Sequence, residues 1–332
     1  MPEPKSENCP AAWAAAARRA METEAAAILC AAGRLDGNFS RAVEVILAEG
    51  NKVVVTGMGK SGHVAQKIAA TLCGTGTPAV FMHPAEALHG GVGVYSPKDP
   101  TVLISKSGTT GELLRLIPVL RGFESTLIGI VGNVSSPLAR GVDIVLDGSV
   151  GREADPHSLA PTASAVVALA LGDALAVALM QARDFTCEDF GRYHPAGQLG
   201  RNLLVKVSEA MHSGVEVAWA RCDDSLKEVV VAMTRYPLGA ACVIDGEGRL
   251  AGLITDGDLR RALKAHDDIR PLRACDIMTP DPVRIGPSAS LHQALRVMED
   301  RPSQISVLPV VDENGVCAGL IRLHDIYRGA VK

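Results

Sequence analysis

The chain has 332 residues and a formal net charge of −4, with 33 Lys and Arg set against 37 Asp and Glu. Aromatic residues make up 3 % of it and apolar ones 47 %, which excludes a nucleic-acid partner held by bulk charge or by base-stacking platforms. The length suits about two domains of roughly 150 residues each.

Residues 1–9 carry Glu3 and Glu7 and no basic-then-apolar pattern, so a signal peptide is not expected. Residues 11–32 are Ala-rich with Arg18, Arg19, Glu22 and Glu24, and Gly33 follows as a helix stop. A second amphipathic helix is expected over 39–48, ending at Gly50. The pattern then changes. Lys52-Val53-Val54-Val55-Thr56 is a short β-branched run that ends in glycines, and apolar residues at helical spacing follow from Val64 to Leu72. Residues 78–82, 101–104, 126–131 and 143–146 continue the strand series, with a helix expected over 112–120. Alternation of strand, glycine turn and helix predicts a parallel sheet with helices on both faces. Ligands of such sheets sit at the carboxyl ends of the strands, here the loops after Thr56, Met82, Ile104 and Leu146.

Residues 163–180 read ASAVVALALGDALAVALM, close to membrane-spanning length. Asp173 at the centre, the Ala content and the lack of a flanking basic cluster favour a buried core helix in a protein without a membrane role. The eight cysteines (Cys9, Cys30, Cys73, Cys187, Cys222, Cys242, Cys275 and Cys317) form no C-x-x-C pair, which suits a reducing, cytoplasmic compartment.

Beyond Val205 an internal repeat begins. Met211-His212 is answered by Met278-Thr279, Val243-Ile244-Asp245 by Val310-Val311-Asp312, and Gly252-Leu253-Ile254 by Gly319-Leu320-Ile321, all at an offset of 67 residues (211 to 278, 243 to 310, 252 to 319). Two copies at one offset predict a pseudo-symmetric pair that buries a shared face.

Three segments carry candidate chemistry. Gly57-Met58-Gly59-Lys60-Ser61-Gly62 follows a strand and opens a helix, a turn whose amides can meet an anion; glycines needed only for close packing are the plainer explanation. The strand-tip acid of a dinucleotide site is missing, since the first acid after the second strand is Glu86. Ser105-Lys106-Ser107-Gly108-Thr109-Thr110 places four hydroxyls ahead of a helix, more than an ordinary N-cap needs and suited to a phosphate monoester. His83 to Gly91 collects His83, Glu86 and His89 without diagnostic metal spacing. Glu153, before Leu159-Ala160-Pro161-Thr162, and His194, in His194-Pro195-Ala196-Gly197, are ambiguous by themselves.

Residues 57–63, 104–112 and 159–164 resemble a sugar isomerase (SIS) domain, and the repeat resembles a tandem cystathionine-β-synthase (CBS) pair. With His194-Pro-x-Gly-x-Leu-Gly-Arg at the junction, the order of the parts is similar to that of the bacterial arabinose-5-phosphate isomerases from about residue 12 onward. The resemblance implies an α/β fold, a doubly wound parallel-sheet SIS domain with helices on both faces followed by a CBS pair (α+β). The expected boundaries are N-terminal helices over 1–50, the SIS domain over 51–204, and CBS copies over 205–270 and 271–332.

The resemblance also implies roles: Lys60, Glu112, Glu153 and His194 are catalytic, and Gly76, Thr77, His83 and His89 contact the phosphosugar. Ser61, Ser105, Ser107, Thr109 and Thr110 join them as binding residues, with His83 a site for an inhibitory metal. The CBS ligand positions are Thr255, Asp258 and Asp325, for a nucleotide or CMP-Kdo, although Arg322 replaces the second copy's hydroxyl. Two departures stand out. The family's serine loop usually reads Ser-Asn-Ser-Gly with an acid next, where this chain has Lys106 and Thr109, and Gly91 stands where an acid usually follows His89-Gly90.

The expected reaction interconverts ribulose 5-phosphate and arabinose 5-phosphate through a cis-enediolate, at the entry to Kdo and lipopolysaccharide synthesis. It requires no metal or redox cofactor. Glu153 is the first choice of base and Glu112 the competitor, with tetramers sharing active sites. The alternative is a non-catalytic sugar-phosphate-sensing regulator; residues 1–50 lack the basic helix-turn-helix expected of one. The missing strand-tip acid counts against a dinucleotide-dependent oxidoreductase.

Overall fold

The computed structural model describes residues 10–48, 51–195 and 197–328; Glu3, Glu7, Cys9, Gly50 and Ala196 lie outside them. The chain divides into two compact units, Met1–Thr186 and Cys187–Lys332.

In the first unit, strands β1 (Val53–Gly57), β2 (Ala79–Phe81), β3 (Thr101–Ser105), β4 (Leu127–Val131) and β5 (Ile144–Asp147) form one parallel sheet in the order β2-β1-β3-β4-β5. All five expected strands are present. The runs are continuously apolar because both faces are covered. Val53, Val55, Val102 and Ile104 point into one buried layer, and Val54, Leu103, Leu127 and Val131 into the other. Helices α1 (Pro10–Ala32), α2 (Gly37–Ala48), α3 (Lys60–Gly74) and α7 (Ala163–Ala182) cover the first face. The short α4 (Pro84–Ala87), α5 (Gly111–Gly122) and α6 (Pro137–Gly141) cover the second.

Helix α7 is long and apolar enough to cross a membrane, yet half of its most apolar window is buried within the unit. Its inward stripe includes Val167, Leu171, Leu175 and Leu179, at the spacing of one helix face. At its crossing with α3, a Cβ on Gly172 would stand 2.2 Å from Cδ1 of Ile68, so glycine sets the approach of the two helices. Asp173 pairs with Lys67 beside that crossing, which accounts for the carboxylate in mid-helix. Helix α1 behaves differently: among its residues only Ala31 is buried, and Trp13, Met21 and Leu29 are exposed.

The second unit begins earlier than the expected 204/205 boundary because α8 (Cys187–Tyr193) packs on α9 (Gln198–Leu204), and α9 on α14 (Leu291–Glu299). Its other helices are α10 (Val207–Ala210), α11 (Leu226–Arg235), α12 (Asp256–Ala265), α13 (Ala274–Ile277) and α15 (Leu323–Arg328). The strands are β6 (His212–Ser213), β7 (Ala218–Ala220), β8 (Ala240–Ile244), β9 (Leu250–Thr255), β10 (Thr279–Pro280), β11 (Val307–Val311) and β12 (Cys317–Arg322). The 67-residue offset recurs in the elements themselves (212 to 279, 240 to 307, 250 to 317). The copies exchange strands: β6 of the first pairs with β12 of the second, and β10 of the second with β9 of the first. Neither copy therefore completes its sheet alone.

Candidate active site

The loops after β1, β3, β4 and β5 meet at the carboxyl edge of the parallel sheet. They enclose a small cleft whose wall includes Lys60, Ser61, Ser105, Lys106, Gly132 and Ser164. The glycine turn carries Lys60 and Ser61 into it. A Cβ on Gly57 would come within 2.7 Å of the Ser61 carbonyl oxygen, and one on Gly62 within 2.7 Å of the Gly57 carbonyl oxygen. Gly59, at φ 54°, has open space around it and supplies the left-handed residue of the turn. Close packing and presentation of Lys60 are thus served by different glycines of one motif. Lys60 itself is exposed at the first position of α3.

The hydroxyl loop is folded on itself. Ser105 Oγ, buried at the end of β3, accepts the Gly108 N–H at 3.0 Å and lies 2.9 Å from Thr110 Oγ1. Ser107 Oγ accepts the N–H and the hydroxyl of Thr109 at 3.2 and 3.0 Å. Thr110 occupies the N-cap of α5, yet its side chain makes no capping bond. The ordinary N-cap explanation therefore fails here, since the Thr110 side chain leaves the first amides of α5 uncapped. Gly108 needs its positive φ and its bareness, since a Cβ would fall 1.9 Å from Ser136 Oγ. Glu112 sits half-buried in the first turn of α5 and is not among the residues that line the cleft.

Glu153 is the buried carboxylate of the site, 3 % exposed. Its Oε2 accepts the Thr162 N–H at 2.8 Å, the Ser164 N–H at 3.1 Å and the Thr162 hydroxyl at 3.2 Å. Its Oε1 accepts the Ser164 hydroxyl and stands 2.6 Å from Lys106 Nζ. Burial pushes its pKa up, but the Lys106 ammonium, the Ser164 hydroxyl and the two amides outweigh it and hold the group down at about 2. Arg34 fixes the approach to this segment, reaching Asp147 Oδ2 at 2.8 Å and the Ser149 carbonyl at 2.7 Å.

The remaining sequence-predicted residues scatter. His83 caps α4 at the carboxyl end of β2 with its Nδ1 buried and unpartnered, and His89 is exposed ahead of Gly90. Among the described residues no three His, Cys, Asp or Glu side chains converge as a metal site, so His83 has no co-ligands. Gly76 and Thr77 precede β2 at the opposite edge of the sheet, where Thr77 Oγ1 accepts from Arg183 at 2.5 Å; the fold does not bring them to this cleft. His194 belongs to the second unit. Its ring stacks on Phe190 at 3.9 Å, and its Nδ1–H donates to the Phe190 carbonyl at 2.9 Å, which leaves Nε2 to exchange a proton. The Gly200 of its turn is obligatory, because a Cβ would lie 2.0 Å from the His194 carbonyl oxygen.

In the repeat, Thr255 and Asp258 form a capping box on α12, with the Thr255 hydroxyl 2.6 Å from Asp258 Oδ2 and Arg261 on the other oxygen. Both residues line a groove that also takes Arg301 and Ser306 from the second copy. Asp325 is held differently. Arg322 grips it through Nη2 at 2.8 Å and Nε at 3.0 Å, and His212 Nε2 lies 3.2 Å away. The sequence reading did not anticipate Lys106 as the partner of Glu153; its only sequence signal was a lysine among hydroxyls, equally consistent with a solvated side chain.

Residues 46–178 match the SIS domain family, and residues 207–265 and 274–332 each match the CBS domain family. The chain is 45 % identical over 315 residues to the arabinose 5-phosphate isomerase KdsD of Pseudomonas aeruginosa, covering 95 % of this chain and 96 % of the relative. It is 42 % identical to KdsD of Escherichia coli strain K12, with 90 % of each covered. Among solved structures, that of E. coli CFT073 c3406 in complex with arabinose 5-phosphate is 37 % identical with a TM-score of 0.55, covering 56 % of this chain and all of that one.

Proposed function

From its membership of the arabinose 5-phosphate isomerase family, SIS domain followed by two CBS domains, to which this chain belongs, we propose the following division of labour for the aldose–ketose isomerisation. The observation that carries it is the buried, ionised Glu153, whose partners Lys106 and Ser164 line the sheet-edge cleft together with Lys60.

The 5-phosphate docks on the loop of Ser105, Ser107, Thr109 and Thr110, where the amides of α5 left uncapped by Thr110 and the helix dipole favour a dianion. Anchoring the remote phosphate orients C1 and C2. Glu153 removes the proton from C2 of the open-chain aldose, the C–H pair forms the C1=C2 bond, and O1 takes up a proton. Return of the proton to C1, with loss of the O2 proton, gives the ketose. Lys60 stabilises the enediolate oxygens, since a preorganised cation acts best where charge develops. The proton shuttle between oxygens is assigned to His194, whose Nε2 is the nitrogen left unbonded by Phe190. No metal or redox cofactor enters these steps.

Run in the opposite direction, from ketose to aldose, the same steps supply arabinose 5-phosphate to Kdo and lipopolysaccharide synthesis in the cytoplasm, in a homotetramer. The CBS pair takes a nucleotide or CMP-Kdo as regulator. A coupled assay of arabinose 5-phosphate to ribulose 5-phosphate, with ribose 5-phosphate as control, tests the substrate. Equal turnover of the control would overturn that specificity.

A further inference from the structure

Lys106 belongs to two parts of the site at once. By chain position it lies in the hydroxyl loop after β3, between Ser105 and Ser107. By contact it belongs to Glu153, 2.6 Å away. The two partners are unequally fixed: the Glu153 side chain is 2 % exposed and that of Lys106 is 42 % exposed. Glu153 does not depend on the lysine for hydrogen bonding. Two amides and two hydroxyls from Thr162 and Ser164 already occupy its oxygens, so the ammonium can leave without orphaning a buried carboxylate. Those groups, Lys106 and the amino end of α7 face the carboxylate directly, and Lys60 lines the same cleft from α3.

We propose that Lys106 is a positioning residue released by phosphate: in the free protein it pairs with Glu153, and a phosphate dianion on the hydroxyl loop draws its ammonium away, leaving Glu153 able to act as base. This rests on the assignment of Glu153 as base. The driving force is Coulombic, because a dianion in the lysine's own loop attracts it more strongly than one carboxylate does. The need for release is chemical. A carboxylate held at about 2 is a poor acceptor for a carbon-bound proton, and a base works best nearer the operating pH. Phosphate occupancy is thereby coupled to basicity at a site some residues distant in sequence.

The experiment is a carbon-13 titration of the Glu153 carboxylate in the full chain, with and without sulfate, which is a dianion above about pH 3. Expected is a resonance flat down to pH 4 in the free protein and a titration moved up by about one unit or more with sulfate bound. A resonance unmoved by saturating sulfate overturns the proposal. In parallel, Lys106→Gln should raise KM for arabinose 5-phosphate about tenfold or more, with Lys106→Arg recovering most of it. An unchanged KM in the folded glutamine variant overturns it as well. Glu153→Gln separates the two readings: if that variant keeps turnover, the base assignment itself falls, whereas an inactive Glu153→Gln with an insensitive Lys106→Gln removes the lysine's role alone.

Discussion

Ser164 bonds Glu153 twice, its N–H donating to Oε2 at 3.1 Å and its hydroxyl to Oε1, so the carboxylate behind the cleft-lining Ser164 is also the acceptor at the start of α7. Catalytic and structural duties thus fall on one group, and substitution has to separate them. Glu153→Gln keeps the size and one acceptor but loses the charge. Expected is a fall in turnover of roughly 10²–10⁴-fold, with loss of solvent deuterium at the substrate carbon. The stability cost is about 1–2 kcal/mol from the weakened helix end. The depressed pKa contributes stability above the ordinary Glu value, lost as pH falls toward about 2. Wild type and variant should therefore converge in acid. Near-normal deuterium exchange in the variant would assign the base elsewhere, with Glu112 the next candidate.

Lys60 differs from Glu153 in being exposed and in having a side chain that, among the described residues, makes no hydrogen bond or ion pair. Lys60→Met is expected to lower turnover about 10²–10³-fold while leaving the melting temperature within a degree or two. Calorimetry and steady-state kinetics on the same sample check this. A large fall in melting temperature would mean that the lysine supports the glycine turn.

The five strands of the first unit are legible in the sequence because each is a short apolar run, and all but β2 are closed by a glycine or hydroxyl turn. The turn chemistry places Lys60 and Ser105 correctly for the same reason. The partnership of Lys106 with Glu153 is not legible: a loop lysine and a loop glutamate carry no local pattern, and only packing of α7 on the sheet brings them together. Gly76 and Thr77 show the converse. They are given by the resemblance alone, and because they precede a strand they fall at the far edge of the sheet. The strand exchange in the repeat is equally hidden, since two-residue strands such as β6 and β10 declare no partner.

Asp99 tests the frame that holds the sheet's opposite edge. Its side chain is fully buried and accepts the Asn51 N–H at 2.9 Å, the Lys52 N–H at 3.2 Å, the Ser96 N–H at 2.7 Å and Lys52 Nζ at 2.6 Å. Burial raises its pKa, but Lys52 and the three amides prevail and hold it below the usual carboxylate range. Asp99→Asn leaves Lys52 unpaired beside buried backbone and is expected to cost roughly 2–4 kcal/mol in urea unfolding. With a depressed folded-state pKa, the gap between wild type and variant is full above the unfolded value near 4 and closes as pH falls. A gap of equal size at pH 3 and pH 7 would remove the charge from the explanation.

The two copies of the repeat differ at the hydroxyl position of their last motif, Thr255 in the first and Arg322 in the second, and that difference sets a count. In the first, Thr255 and Asp258 cap α12 and face the groove. In the second, the Arg322 guanidinium lies in a bidentate grip on Asp325, with His212 against the same carboxylate. A ribose hydroxyl seeking Asp325 must compete with a charged hydrogen-bonded pair, which net of solvation is stronger than a neutral bond. Titration calorimetry with AMP or CMP-Kdo is therefore expected to give one site per chain, abolished by Asp258→Ala and kept in Asp325→Ala. Two sites of similar affinity would show that the arginine yields to ligand, and a site lost with Asp325 but not Asp258 would reverse the assignment of the competent copy.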